Sequence, residues 1–268
     1  MAGRGWERNR GLRLMTPLSL LLPLYILLPL VALLFYIDPR SIVEHLASPL
    51  AMKALWLSLK TTVGATLLCV LLGTPIAFAL ARSSFRGREL VDTLIDLPVT
   101  VPPVVAGVSL LLVFGRRGLL GRYLELAGIE IPFTTMAVVM AQVFMASPFF
   151  VKAARAGFEA VDTTLEDVAG TLGASSWRVF WTVTVPLARP ALIAGTVLAW
   201  ARSLSEFGAT MMFAGNLPGR TQTLTLAVMS AMEVDLDTAV AISALTLVLA
   251  LGALLLAKRL AAVAPVGV

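Results

Sequence analysis

One cysteine, Cys69, and one histidine, His45, are all that this 268-residue sequence offers in thiol and imidazole chemistry. A lone cysteine excludes an internal disulfide, and with one histidine no Cys/His zinc spacing exists. Charge is scarce as well. Asp, Glu, Lys and Arg make up 14% of the chain, where soluble domains average about 25%. Hydrophobic residues reach 58%, and the mean hydropathy is +0.90. This excludes an ordinary solvated surface and indicates an all-α, polytopic integral membrane protein. No Gly-x-x-x-x-Gly-Lys-Ser/Thr string occurs, so the chain supplies no ATP hydrolysis of its own. The run Gly215-Asn216-Leu217-Pro218-Gly219-Arg220-Thr221 lacks that Gly-Lys-Ser/Thr close and reads as an external turn. No nucleophile, acid/base and metal-ligand set clusters at one membrane depth, which argues against an integral membrane enzyme such as a lipid-modifying transferase. The net charge of +5 is scattered at the ends of apolar runs, so it carries topology and not nucleic-acid binding. Cys69 reads as a small lipid- or core-facing residue and His45 as a solvated residue of an external loop.

A spanning helix needs about 20 mostly apolar residues. Six stretches qualify, at 18–37, 61–81, 94–114, 133–151, 185–207 and 238–257. The first follows a basic leader of Arg4, Arg8, Arg10 and Arg13, but its apolar run is longer than a signal-peptide core and no small-residue cleavage site follows. It therefore reads as a retained helix. Cytoplasmic loops carry the excess of Lys and Arg. With both termini inside, the leader, Arg82, Arg86, Arg88, Lys152, Arg155, Arg178, Arg189, Lys258 and Arg259 face the cytoplasm. Arg40, Lys53, Arg116, Arg117, Arg122 and Arg220 face outward. No repeat or low-complexity linker divides the chain, so 1–268 reads as a single domain.

Two internal features stand out. The third span opens Asp96-Leu97-Pro98-Val99-Thr100-Val101-Pro102-Pro103. Proline removes a backbone donor and clashes with the preceding turn, so this span must break near its start, either as a packing kink or as a discontinuous element lining a pathway. The second feature is a cytoplasmic segment at 158–182. Asp162-Thr163-Thr164 offers a helix N-cap. Glu166 and Asp167 complement the positive helix end. Leu165, Val168 and Leu172 share one face, and Gly173 supplies the stop. Trp177 and Phe180 follow in a second amphipathic stretch leading back to the membrane at Pro186. The result is a short helix with an apolar face and no bilayer to bury it in. Its acidic start and lack of lysine on the polar face favour a protein groove over anionic headgroups.

Asp167, Val168, Ala169, Gly173, Val183, Val185 and Pro186 stand at the spacing of the coupling motif of binding-protein-dependent ABC importer permeases, with Asp-Val-Ala where that motif has Glu-Ala-Ala. The stretch 158–226 resembles the permease subunits of molybdate-type ABC importers, of which the sulfate permeases are relatives. The residues that carry this are Thr171-Leu172-Gly173-Ala174-Ser175, Val183-Thr184-Val185-Pro186-Leu187, and above all Ser205-Glu206-Phe207-Gly208-Ala209-Thr210 through Gly219-Arg220-Thr221-Gln222-Thr223-Leu224. Leu97-Pro98 and Pro102-Pro103-Val104-Val105-Ala106-Gly107 are similar upstream. The family commonly has Gly-Glu at Ser205-Glu206. The resemblance implies a permease subunit for an oxyanion, molybdate first and tungstate, sulfate or thiosulfate next. It also implies a cytoplasmic ABC ATPase docked through Leu165, Glu166, Asp167, Val168, Ala169, Leu172, Gly173 and Pro186, an external or periplasmic binding protein, and a second copy of the chain. ATP and Mg2+ would be used by the ATPase, and no cofactor by this chain.

Arg202 and Glu206 stand four residues apart near the outer end of the fifth span and share one helix face. An ionised residue costs about 2.5–3.5 kcal/mol at a helix centre on translocon scales, so the two are expected to pair or to face a polar interior. With Ser205 and Thr210, the resemblance implies a place near the gate or the anion route, where Arg202 would lend a positive field. A stand-alone channel or carrier is the remaining competitor. It would need no docking helix and would carry more intramembrane acids than Glu206 and Asp96.

Overall fold

In hydrocarbon no water completes a backbone hydrogen bond, so each apolar run must close its bonds internally as a helix. The computed structural model describes residues 5–36 and 38–263, and among them every regular element is helical. Arg4 and position 37 of the first expected span lie outside the described residues.

The chain runs through α1 (Gly5–Phe35), α2 (Pro39–Leu46), α3 (Pro49–Arg82), α4 (Arg88–Thr100), α5 (Pro103–Phe114), α6 (Gly121–Leu126) and α7 (Thr135–Glu159). It continues as α8 (Thr163–Thr171), α9 (Ser176–Val179), a π turn (Phe180–Thr184), α10 (Val185–Leu204), α11 (Gly208–Ala214), α12 (Leu224–Met232) and α13 (Leu236–Val263). Among the described residues, four helical stretches are long and apolar enough to cross a bilayer: Pro49–Arg82, Thr135–Glu159, Ser176–Leu204 and Leu236–Leu256. The pair α4–α5 makes a fifth if its two arms count as one, and the shorter apolar helix Ser19–Phe35 stands at the first expected span.

The break expected at the third span is present. α4 and α5 meet at an angle of 117°, with Val101 and Pro102 extended between them. Other boundaries move. α3 begins at Pro49, twelve positions before the expected 61, because Ser48 caps it by accepting from the Ala51 amide at 3.3 Å and Pro49 suits its first turn. The fifth span ends at Leu204 and not 207. Its chain then breaks at Ser205-Glu206-Phe207 and turns into α11, which with α12 falls between the expected fifth and sixth spans. Both are too short to span, yet Phe213, Leu224 and Leu226 are fully buried. His45 lies on α2, with Nε2 3.5 Å from Asp235, so it is not a free loop residue. Cys69 is buried in the core, as expected.

α3, α7 and α10 pack on one another at the centre, α11 lies against α5 and α7, and α12 and α13 close the far side. Small residues line the seams. Ala77, Ala146, Ala154, Ala188 and Ala199 are all essentially inaccessible, which lets backbones approach where apolar lipid supplies no hydrophobic drive. At Gly157 on α7, an added Cβ would lie 2.4 Å from the Ala191 Cβ of α10. Helix propensity alone favours Gly→Ala by about 0.8–1.0 kcal/mol, but overpacking costs about 1–3 kcal/mol. Gly157→Ala is therefore expected to lower the unfolding temperature in detergent. Gly252→Ala, where nothing lies within 4 Å of the added Cβ, is expected to leave it unchanged or raise it. A Gly157→Ala protein as stable as the Gly252→Ala protein would refute the close-packing account.

Candidate functional site

The segment after α7 folds as its residues suggest. Asp162 caps α8, its Oδ1 accepting from the Thr164 amide at 2.9 Å, and that bond holds the Asp162 carboxyl below its ordinary pKa. At the other end Gly173 has φ +87°. The Gly173 amide donates to Gly170 O at 2.9 Å and the Ala174 amide to Ala169 O at 3.1 Å. This is a left-handed glycine cap, which satisfies carbonyls that a helix end leaves free. No residue of α8 is buried. Leu165 and Val168 are half exposed and Leu172 is 83% exposed, and Asp167 and Pro186 also face outward. The apolar face read from the spacing thus exists and is uncovered. Ala169 is half-buried beside it.

Glu166 behaves differently. Its Oε1 accepts from Arg82 Nη2 at 3.0 Å and from Thr184 Oγ1 at 2.7 Å. It therefore points back into the body of the protein, while Asp167 beside it is exposed. Ser175 caps α9 by accepting from the Arg178 amide. From there the chain enters α10 through the π turn, whose Phe180 lies 4.9 Å from Phe78 and 6.1 Å from Phe158, centroid to centroid. Trp177 and Trp181 contact this cluster from the outside and remain exposed.

The second group sits where α10 breaks. Arg202 Nη2 lies 2.8 Å from Glu206 Oε2, with the Glu206 side chain 1% exposed. The expected i, i+4 pair is formed. Oε2 makes no aligned hydrogen bond in addition, so the contact is one of charge. Glu206 Oε1 accepts from the Ala209 amide at 2.8 Å, which ties the carboxylate to the start of α11 and satisfies one of its free donors. Thr225 Oγ1 donates to the Glu206 carbonyl at 2.8 Å, and Ser58 Oγ on α3 accepts from the Leu224 amide at 2.8 Å. Ser205 is exposed, its hydroxyl donating to Arg202 O at 3.1 Å. Thr210 is fully buried and its Oγ1 has no partner. Ser203 Oγ and, on α7, Gln142 Oε1 are likewise buried without one. Of the four residues expected near the route, Arg202, Ser205 and Glu206 meet at one break, and Thr210 follows on α11. Ser58, Thr225, Arg82 and Thr184 were not legible as partners, since each lies in an apolar helix or a turn with no local signal. Among the described residues no group of three His, Cys, Asp or Glu side chains is placed to hold a metal ion.

Residues 70–262 match the family described as binding-protein-dependent transport system inner membrane component. The chain belongs to that family. This inner membrane component is 49% identical, over 205 residues, to the molybdenum transport system permease protein ModB of Mycobacterium tuberculosis, covering 76% of this chain and 78% of that one. It is 44% identical over 182 residues to the ModB of Escherichia coli (strain K12), covering 68% and 80%. It is 38% identical over 191 residues to the sulfate transport system permease protein CysW of Synechococcus elongatus, covering 71% and 67%. Among solved structures, it superposes with a TM-score of 0.75 on a chain of a bacterial ABC transporter for the import of the acidic polysaccharide alginate. The identity there is 16%, over 95% of this chain and 96% of that one, a likeness of fold. Its relatives are permease proteins, so the chain is a transport component and not an enzyme.

Proposed function

We propose that the chain is the membrane-spanning permease subunit of an ATP-driven, binding-protein-dependent oxyanion importer, with molybdate as its cargo. The observation that carries this is the 49% identity to a molybdenum permease across 76% of the chain. The sulfate permease relative at 38% makes sulfate or thiosulfate, with tungstate, the next cargo in order. Residues 1–268 act as one transmembrane domain of six spans, with N and C termini in the cytoplasm and the body in the lipid of the inner membrane. Two copies stand side by side.

A cytoplasmic ABC ATPase docks on the exposed face of α8 through Leu165, Asp167, Val168 and Leu172, with Gly173 and Pro186 setting the path of the chain. ATP and Mg2+ are used by that subunit. An external binding protein delivers the anion to the opposite face. ATP-driven closure of the two ATPases moves α8, and the movement switches the pathway between its inward- and outward-open forms, a coupling of distinct sites through a two-state element. Arg202, Ser205, Glu206 and Thr210 lie at the break of α10 near that pathway. In this conformation the guanidinium is neutralised by Glu206, so an anion meets its field only when the pair opens.

The test is reconstitution. The detergent-solubilised chain is expected to co-purify with its cognate ATPase. In proteoliposomes the molybdate-loaded binding protein is expected to stimulate ATP hydrolysis well above the sulfate-loaded one. Anion transport by this chain alone would overturn the importer reading, and stimulation by sulfate alone would move the cargo.

A further inference from the structure

α8 buries none of its residues, and its main packing neighbours are α9 and the π turn. A cleft lined by Phe78, Glu166, Asp167, Gly170, Thr171 and Phe180, among others, opens beneath it. What bridges the cleft is polar. Arg82 ends α3, and its Nη2 donates both to Glu166 Oε1 at 3.0 Å and to Val161 O, just before α8, at 2.9 Å. Thr184 ends the π turn at the root of α10, and its hydroxyl donates to the same Glu166 oxygen at 2.7 Å. The Arg82 and Glu166 side chains are 15% and 16% exposed, and Thr184 is buried. Charge-assisted bonds in a shielded place are shorter and stronger than neutral ones at a surface. Directly below, Phe78 of α3, Phe158 of α7 and Phe180 of the π turn make edge-on and tilted contacts. The root of α10 is therefore bound to α3 and α7 by an aromatic layer, and α8 is bound to the end of α3 and to that root through one carboxylate.

We propose that Arg82, Glu166 and Thr184 form a strut that fixes the coupling helix to α3 and to the root of α10 together. A displacement of α8 then reaches both helices at once. Glu166 is a positioning residue acting through Arg82 and Thr184, and docking falls to its exposed neighbours. The π turn serves this arrangement. A wider turn of this kind inside a helix often marks a functional position, and here it ends on the hydroxyl that the strut uses. The proposal rests on the reading of α8 as the ATPase joint.

The experiment uses the complete transporter, permease with cognate ATPase and molybdate-loaded binding protein, in proteoliposomes. It measures ATPase retention and the anion moved per ATP hydrolysed. If the unmodified complex neither retains the ATPase nor responds to the binding protein, the joint itself is refuted, separately from the strut. With a working complex, Glu166→Ala is expected to retain the ATPase while transport per ATP falls about 5-fold or more, the scale of an inter-site coupling. Glu166→Gln keeps an acceptor for both donors but removes the counter-charge of Arg82, so it is expected to fall between the unmodified protein and Glu166→Ala, and Thr184→Val to fall about 2- to 3-fold. An unchanged ratio in Glu166→Ala, loss of ATPase binding in that variant, or a Gln variant as impaired as the Ala variant would each overturn the strut. Should Glu166→Ala fail to accumulate, Thr184→Val decides alone, and an unchanged ratio there refutes the proposal.

Discussion

Glu206→Ala is expected to cost about 3–5 kcal/mol of stability, the usual penalty for removing one partner of a buried ion pair. The carboxylate does two things at once. It neutralises Arg202 at 2.8 Å, and it accepts from the Ala209 amide at the start of α11. Its loss leaves a guanidinium only 21% exposed without its counter-charge and a buried backbone donor without its acceptor, so α11 loses its anchor to α10. Arg202→Met/Glu206→Met removes both charges and is expected to recover much of the loss, since an apolar replacement of a buried pair is often close to neutral. Thermal unfolding of the detergent-solubilised protein checks both. A single alanine variant as stable as the parent would show that the pair contributes nothing to holding the break. The transport readout separates the roles. If Arg202→Gln, at normal assembly, leaves uptake and selectivity untouched, the guanidinium has no part in the anion route.

Gly173→Val is expected to abolish productive contact with the ATPase. At φ +87° an L side chain costs about 1–2 kcal/mol, and a β-branched one is the least tolerated there. No atom lies within 4 Å of an added Cβ, so the effect comes from the backbone and not from a clash. Relieving the strain means unwinding the cap formed by the Gly173 and Ala174 amides, which swings Leu172 and the chain toward α9 out of place. Co-purification with the ATPase is expected to fall at least about 10-fold, equivalent to about 1.4 kcal/mol. Gly173→Asn, which tolerates the left-handed region, is expected to fall much less. Equal ATPase binding by the Val and Gly proteins would mean that the end of α8 is not part of the joint.

How much of this was legible in the sequence follows from how local each signal is. Long apolar runs, the Pro98/Pro102/Pro103 break and the Asp162 and Gly173 caps are written within a few residues of where they act, and each appears in the structure. The Arg202–Glu206 pair was legible for the same reason, being one helical turn long. α11 and α12 were not, because short apolar segments beside a long span look like its continuation or its loop. Only tertiary contact with α5, α7 and α13 makes helices of them. The early start of α3 was written in Ser48-Pro49, but the lysines at 53 and 60 dilute the hydropathy there. Glu166 shows the limit most clearly. Periodicity groups Leu165, Val168 and Leu172, yet nothing near Glu166 tells that its partner is Arg82, 84 residues away. Adjacent acids that look alike in sequence differ once the chain folds: Glu166 takes two partners across the cleft, and Asp167 stays exposed.

Because α8 buries none of its residues, its outer face carries almost none of the stability of the membrane body. Substitutions there escape the penalties that core changes incur, which for large-to-small changes reach about 2–5 kcal/mol. If α8 is the ATPase joint, as proposed, the face that selects the motor is free to drift while the membrane body stays put. On that reading, a permease body would change allegiance among ATPases by exchanging the exposed Leu165, Asp167, Val168 and Leu172 while keeping Glu166, without having to refold.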